Sequence, residues 1–300
     1  MKTVKVLLDT DIGTDIDDAV CLAYLLSQPR CDLLGVTTVT GEAVERAKLV
    51  SALCLLAGRD VPIYPGATTP LFTSQRQLHA AQAAGLGRWP HRARFPRGEA
   101  VEFLRQTIRR HPGEVVLLTI APLTNVGLLF SIDPEIPSLL KGLVMMCGRF
   151  FDPPPLGYSP IEWNAVVDAH ATSIVYSSNV AGHRSLGLDV TSQVRMSSDE
   201  FRTIFSEIPL FAPVLDWAEI WFREKPGTIF HDPLAAATIF EPDLCSYVRG
   251  KVTVDLLDGS SFGLTRFKEV ADGPHRVART VKPGDFFGHF MDVVGGAGKV

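Results

Sequence analysis

The stretch that decides the fold is Val4-Lys-Val-Leu-Leu8 followed by Asp9-Thr-Asp11-Ile-Gly13-Thr-Asp15-Ile-Asp17-Asp18. The first five residues are typical of a buried strand, and from residue 18 to 26 the apolar residues return at helical spacing. Between them, five carboxylates fall within ten residues with no Lys or Arg. Like charges this close repel one another, and a bound hard cation with oxygen ligands relieves the repulsion. The stretch therefore predicts a metal site where the first strand meets the first helix.

The rest of the chain alternates short apolar runs with longer amphipathic ones. Strands are predicted at residues 33–39, 115–120, 142–147 and 183–190, with an edge strand at 248–257. Helices are predicted at residues 42–57, from 124, and at 165–176, 233–240 and 286–294. This order predicts an α/β fold with a mostly parallel, mixed central sheet and helices on both faces. We expect a single domain over residues 1–300, with its site at the carboxyl ends of the strands.

The composition excludes several classes of protein. Of the 300 residues, 46% are apolar and 21% charged, which excludes a mainly disordered chain. A net charge of −4 argues against a nucleic-acid partner. No run approaches the ~20 apolar residues that span a bilayer, and the start of the chain does not have the pattern of a signal peptide. Five scattered cysteines without a CxxC pair predict free thiols in a reducing cytoplasm.

Several interpretations compete for the acidic segment. A helix start that favours negative charge explains Asp17 and Asp18 but leaves three more aspartates unexplained. An EF-hand loop beginning at Asp9 needs Gly and Glu where the chain has Thr14 and Val20, so it is excluded. A Mg²⁺-dependent phosphatase of the haloacid dehalogenase type also begins with a strand and Asp-x-Asp. In that alternative the nucleophile is Asp9 and the acid is Asp11.

Four later segments and the acidic segment occur in the order found in one known family. The acidic segment matches its Asp-x-Asp-x-Gly and Asp-Asp pattern with two extra residues after Gly13. The later segments are Thr119-Ile-Ala-Pro-Leu-Thr-Asn125, Glu162-Trp163-Asn164, Leu188-Asp189-Val190-Thr191 and Phe230-His231-Asp232-Pro233-Leu234-Ala235. On these segments, which span residues 4 to about 240, the chain resembles the inosine-uridine-preferring nucleoside hydrolases. The resemblance implies their Rossmann-like fold and hydrolysis of the N-glycosidic bond of ribonucleosides to ribose and free base.

The resemblance also implies a site. It implies Ca²⁺ as the cofactor, held by Asp11, Asp18, Asp232 and the backbone carbonyl of Ile120, with Asp15 as the alternative to Asp18. Asp11 is then also the base that activates water, and His231 acts on the departing base. The residues expected to bind the substrate are Asp17, Glu42, Glu162, Trp163 and Asn164.

The same resemblance implies a homodimer or homotetramer that acts in nucleoside catabolism and purine or pyrimidine salvage. Its only expected substrate partner is a small ribonucleoside, with neither nucleic acid nor membrane involved. The chain departs from the family pattern at Glu42, Ala81 and Leu156, so the preferred base is left open. Two alternatives stay beside the nucleosidase: the Asp-x-Asp phosphatase, and a non-catalytic protein that binds ribosides through a metal.

Overall fold

The computed structural model of the chain describes residues 3–257 and 259–296. The strands are β1 Val4–Thr10, β2 Cys31–Thr38, β3 Ile63–Pro65, β4 Val115–Thr119, β5 Gly142–Met146, β6 His183–Leu186, β7 Arg195–Ser197, β8 Gly227–Ile229, β9 Cys245–Val254, β10 Thr265–Glu269 and β11 His275–Val281. The helices are α1 Asp17–Ser27, α2 Ala43–Leu56, α3 Ala100–Arg110, α4 Thr124–Ile132, α5 Ile136–Leu139, α6 Trp163–Val167, α7 Ala169–Ser177, α8 Leu188–Thr191, α9 Ser198–Phe205, α10 Ala212–Trp221, α11 His231–Phe240 and α12 Pro283–Gly296. Short 3₁₀ helices lie at Ala81–Arg88, Pro209–Phe211 and Pro242–Leu244.

The main sheet is mostly parallel. Its strand order is β10-β9-β11-β6-β5-β4-β1-β2-β3, and every pair from β11 to β3 is parallel. Only β9 runs against its neighbours, pairing antiparallel with β10 and with β11. A separate antiparallel ribbon consists of β7 and β8. The predicted mixed, mostly parallel sheet is confirmed.

Helices cover both faces of the sheet because successive strand side chains point to opposite sides. In β1, Val6 and Leu8 belong to a core that includes residues of α1, α2 and α11. Leu7, between them, belongs to a second core that includes residues of α3, α4 and α7. A central strand that is buried on both faces has a nearly continuous apolar sequence, and the run from Val4 to Leu8 in β1 has this pattern.

Three predicted elements differ from the structure. The strand predicted at residues 183–190 ends at Leu186, because the N–H groups of Val190 and Thr191 donate back to the carbonyl of Gly187 and form α8. The helix predicted at residues 165–176 is divided at Asp168, whose carboxylate accepts the Ala171 N–H and caps α7. The strand predicted at the edge is β9, which lies inside the sheet because β10 pairs along its outer side.

Two glycines in helices offer a matched test of the packing between α4 and α7. A Cβ at Gly127 would lie 2.8 Å from the Cβ of Ala171, whereas one at Gly288 would meet no heavy atom within 4 Å in the described residues. Gly288→Ala should raise the free energy of unfolding by about 0.5–1 kcal/mol, the helix preference of Ala over Gly. Gly127→Ala should lower it by about 1–3 kcal/mol, the cost of overpacking. Urea unfolding measures both, and equal stabilisation by both variants would contradict this account of the packing.

Candidate active site

A cavity of about 380 Å³ lies at the carboxyl ends of the parallel strands. Its lining includes Ile120, directly after β4, Met146, the last residue of β5, and Leu188, which begins α8 just beyond β6. The acidic turn after β1 and the beginning of α11 complete the floor. This is the position expected for a ligand site in an open α/β sheet. The lining includes these sequence-predicted site residues: Asp11, Asp15, Asp17, Asp18, Ile120, Glu162, Trp163, Asn164, His231 and Asp232.

Three of these carboxylates form a tight cluster. Asp17 and Asp18 begin α1, and Asp232 lies in the first turn of α11, which packs against α1. Each offers an oxygen within 4.8 Å of the other two, although the side chains are only 3–4% exposed. The hydrogen bonds around them come from the Thr10 hydroxyl to Asp18 and from the Asp232 N–H to Asp17.

The electrostatics of the cluster fit a hard cation. Burial raises the pKa of Asp17, Asp18 and Asp232 well above the usual range of an aspartate, and the negative charges of nearby aspartates raise it further. A bound cation would remove this penalty by pairing with the charges. Oxygen is the only kind of ligand atom in the cluster, and such a set suits Ca²⁺ or Mg²⁺ better than a soft metal.

The acidic turn is held by a buried arginine and a glycine. Arg46, on α2, is fully buried, and its guanidinium donates to the backbone carbonyls of Asp11, Gly41 and His79. Gly13 has a φ of +119°, and a Cβ there would lie 2.8 Å from a methyl group of Leu49. Only glycine adopts this conformation without strain. The turn is therefore fixed through its backbone, which leaves its carboxylates free to face the cavity.

Asp11 is oriented by a side chain that the sequence did not single out. The Gln77 amide donates to Asp11 Oδ2 at 2.8 Å and accepts from the Trp163 indole N–H at 2.7 Å. Burial raises the pKa of Asp11, and the positive charge of Arg46 opposes this shift. Gln77 belongs to none of the recognised segments, and its bond to Asp11 spans 66 residues, so no local pattern pointed to it.

Glu162 and Asn164 line the cavity and also hold its wall in place. The Glu162 carboxylate caps α6 by accepting the N–H groups of Asn164 and Ala165, and it also accepts the Gly148 N–H. Burial raises the pKa of Glu162 to about 7. The Asn164 amide donates to the carbonyl of Met146 at 3.0 Å. Trp163, between them, is 48% exposed at the mouth of the cavity.

His231 and Asp15 lie on another side of the same cavity. The His231 Nδ1 is 2.7 Å from the Thr191 hydroxyl. Burial and the nearby charge of Arg195 lower the pKa of His231 to about 4, so its ring is neutral at pH 7. Asp15 is half-buried and lies outside the three-carboxylate cluster, and burial raises its pKa to about 7.

Glu42 does not reach the cavity. Its carboxylate accepts the N–H of Ala80 and pairs with the exposed His79 ring at 3.0 Å, which turns it away from the lining. Ala81 begins a 3₁₀ helix, and Leu156 is 97% exposed. None of these three positions supplies a side chain to the lining, so Glu42, expected to bind the substrate, is not placed to do so in this cavity.

Asp9 argues against the phosphatase alternative. It is fully buried, and its Oδ1 accepts the Thr37 hydroxyl and the Asn125 amide. It is not among the residues that line the cavity. A nucleophile has to reach its substrate, whereas Asp9 ties β1 to β2 and α4 beneath the acidic turn.

A buried carboxylate cluster facing a cavity at this edge of the sheet defines an α/β enzyme site suited to a hard cation. The family model described as "Inosine-uridine preferring nucleoside hydrolase" matches residues 6–288. The chain therefore belongs to this family and is a nucleoside hydrolase, an enzyme that cleaves the N-glycosidic bond of ribonucleosides.

Individual proteins agree with the family match. The chain is 30% identical to an uncharacterised protein of Schizosaccharomyces pombe over 277 residues, covering 87% of this chain and 88% of that protein. It is 29% identical to uridine nucleosidase 1 of Arabidopsis thaliana, covering 85% and 79%. In fold it resembles a purine-preferring ribonucleoside hydrolase from Gardnerella vaginalis, with a TM-score of 0.84 at 23% identity over 98% of this chain and 99% of that one.

All five cysteines are free and buried. Within residues 3–257 and 259–296, none of the helices combines the length and the apolar character that crossing a bilayer requires.

Removing one charge from the cluster should stabilise the metal-free protein. In chelator, Asp232→Asn should raise Tm, because it relieves repulsion among three buried carboxylates, by roughly 2–4 °C for each kcal/mol relieved. Ca²⁺ should then raise the Tm of the wild type and have little effect on the variant. Differential scanning fluorimetry measures both effects. Asp243→Asn, at an exposed aspartate, is the matched control and should leave both values unchanged; a lower Tm for metal-free Asp232→Asn would refute the repulsion account.

Proposed function

We propose that the enzyme hydrolyses ribonucleosides with Ca²⁺ as its cofactor and with Asp11 as the base that activates water. One observation carries the proposal: a buried three-carboxylate cluster and a separately oriented Asp11 face the same cavity. The cluster suits a cation, and Asp11 has a different set of contacts that suits a proton acceptor. Direct attack by water requires a bound cation and a proton acceptor in the same cavity.

The proposed metal ligands are two members of the cluster, Asp18 and Asp232, together with Asp11, which lines the same cavity, and the carbonyl of Ile120; the third member, Asp17, is left for the sugar. The cluster contains Asp18 and not Asp15, which supports Asp18 as the main ligand of the two. When bound, Ca²⁺ would supply positive charge that makes a nearby water more acidic and that attracts the hydroxyl oxygens of ribose. Its weak acidifying power, compared with that of Zn²⁺, is the reason a protein base is needed.

Asp11 is suited to accept the proton from water. Gln77 holds its carboxylate in one orientation, so little reorganisation accompanies the transfer. Burial raises the pKa of Asp11 above that of a free carboxylate, which makes it a stronger base once it is ionised. Gln77 also accepts a hydrogen bond from Trp163 at the mouth of the cavity. One side chain therefore holds both Asp11, the proposed general base, and Trp163, which is proposed to contact the substrate.

The sugar is proposed to lie between the cluster and α6. Asp17 and Asn164 would bind the ribose hydroxyls, and Glu162 would bind another edge of the sugar. Trp163 would pack on the sugar or the base from the mouth of the cavity. A deoxyribose lacks one of these hydroxyls, so it would leave a buried polar group without a hydrogen-bond partner. We therefore expect the enzyme to prefer ribosides.

His231 is proposed to act on the departing base. Its neutral ring can accept the Thr191 hydroxyl at Nδ1, and the ring proton is then on Nε2. A hydrogen bond from Nε2 to the base stabilises negative charge as the glycosidic bond breaks. The names of the relatives mention both uridine and purines, so the preferred base is not assigned.

The proposed organisation is a single domain in a cytoplasmic, oligomeric enzyme. One domain spans the chain, as the nine strands drawn from residues 4 to 281 into one sheet support. The buried free thiols support a cytoplasmic location. We propose a homodimer or homotetramer, on the family resemblance alone.

Metal removal tests the cofactor. A strong chelator should abolish ribose release from uridine and inosine, and Ca²⁺ should restore it better than Zn²⁺, because the ligands are all oxygen. Phosphate release from p-nitrophenyl phosphate is the control reaction and should stay absent. Full nucleosidase activity in protein verified to be metal-free would refute the cofactor.

Two variants distinguish the function of Asp11, the proposed general base, from that of His231, which is proposed to act on the departing nucleobase. Asp11→Asn should lower kcat by roughly 10²–10⁴-fold on both inosine and a p-nitrophenyl riboside, because water needs its base in either case. His231→Ala should lower it on inosine alone, since p-nitrophenolate departs without help. Steady-state kinetics on both substrates is the measurement. Equal losses on the p-nitrophenyl riboside for the two variants would show that His231 has a structural function at the metal site instead.

A further inference from the structure

A second cavity, of about 620 Å³, continues from the first. The two share four lining residues, Asp15, Tyr158, Trp221 and His231. Since His231 is the residue proposed to act on the leaving base, the second cavity begins where the base leaves the sugar. We call it the extension. A uracil or purine ring that contacts His231 would direct the edge far from the sugar into this space.

The walls of the extension carry positive charge. Arg195, at the start of β7, and Lys225, just before β8, both line it and are exposed. Lys225 Nζ lies 5.5 Å from the centre of the Trp221 ring, so it stays beside the aromatic wall. The Arg195 Nε donates to the carbonyl of Ser192, which anchors the guanidinium. In the part of the chain that the structure describes, no carboxylate lies within 4.0 Å of either cation.

The junction between the cavities holds a polar atom that lacks a partner. The Tyr158 hydroxyl is buried and makes no hydrogen bond within the described residues. Its ring stands edge-on to the His231 ring, with the ring centres 6.3 Å apart. A buried hydroxyl without a partner costs free energy unless a ligand completes it. An exocyclic oxygen of a base at this junction would do so.

The charge of the residues that line the two joined cavities therefore changes from negative to positive along the cleft. Its first part is lined by the carboxylate cluster, and Asp15 stands at the junction. Its far part has the two cations, one of them at the start of β7, and otherwise uncharged residues of the β7–β8 ribbon. A ligand that matches both parts has hydroxyl groups at one end and an anion at the other, with an aromatic ring between them.

We propose, on the basis of the function proposed above, that the enzyme accepts ribonucleosides whose base carries a carboxylate on the edge far from the sugar. Arg195 and Lys225 hold the carboxylate in the extension. Tyr158 donates to the base between the two ends. The reaction is the same hydrolysis, in which water adds to the sugar carbon and the base leaves with a proton.

Two matched probes test the charge preference. 5-Carboxyuridine and 5-carbamoyluridine have nearly the same shape and differ in charge, so the ratio of their kcat/KM values reports how the enzyme treats the carboxylate. The chemical difference between the two leaving bases is the same for every variant and cancels when ratios are compared. Arg195→Gln and Lys225→Gln should each lower the ratio about 3- to 10-fold, the value of one charge-assisted contact in a partly exposed site.

Controls separate charge from other effects. Arg195→Lys keeps the charge and should keep most of the ratio. Arg249→Gln removes an exposed arginine of β9 that lines neither cavity, and it should leave the ratio unchanged. If Arg195→Gln fails to fold, the exposed Lys225→Gln still decides. Tyr158→Phe should lower kcat/KM for both probes alike, because the hydroxyl contacts the ring and not the substituent.

Two outcomes overturn the proposal. The first is a ratio that neither glutamine variant changes. The second is a loss of kcat/KM in the glutamine variants that appears with uridine 5′-phosphate and with neither probe. This result would place the cations at the 5′ end of the sugar. If the wild type cleaves no probe and no uridine, the proposed function fails by itself. The carboxylate site is then decided by thermal shifts with the same two probes, which should be larger for 5-carboxyuridine and lose that difference in Arg195→Gln.

Discussion

Repulsion among buried carboxylates is the constraint on which this site depends. Asp17, Asp18 and Asp232 are brought within 4.8 Å by two helices that begin at the same place, and burial leaves them little water. Arg46 could have neutralised the turn, but its guanidinium donates to backbone carbonyls. Its charge therefore fixes the loop without pairing with the cluster. The chain accepts an unfavourable local charge so that a cation can relieve it, a trade of stability for function that is expected at active sites.

Several recognisable polar residues around the site hold the frame of the fold and are not among the residues that line the cavity. Asp9, Asn125 and Asp168 are all fully buried and bonded to loops or strands that meet under the cavity. Asp189 accepts the N–H groups of Phe150 and Phe151 and so shapes the loop beyond β5. A short polar motif at the end of a strand is thus as much a sign of how backbone groups are satisfied as of catalysis.

The sequence predicted what local pattern determines. The apolar run from Val4 to Leu8 correctly predicted β1. The family match and the fold confirm the class of protein that the run and the acidic segment after it indicated. Residues 183–190 were predicted wrongly because their apolar run continues past Gly187, where the backbone turns into α8. Arg46 and Gln77 were missed for another reason: each contacts residues more than 30 positions away, and such contacts leave no periodic trace in a single sequence.

The two ends of the cleft rest on different kinds of structure. The acidic end is held by parallel strands, helix starts and buried hydrogen bonds, so small changes there disturb the whole frame. The far end is lined by a two-stranded ribbon with exposed side chains, where Arg195 and Lys225 can be replaced at little cost to the core. Reaction chemistry is thereby tied to the fold, while in the proposed binding mode the choice of base depends on exposed residues that can change without disturbing the core.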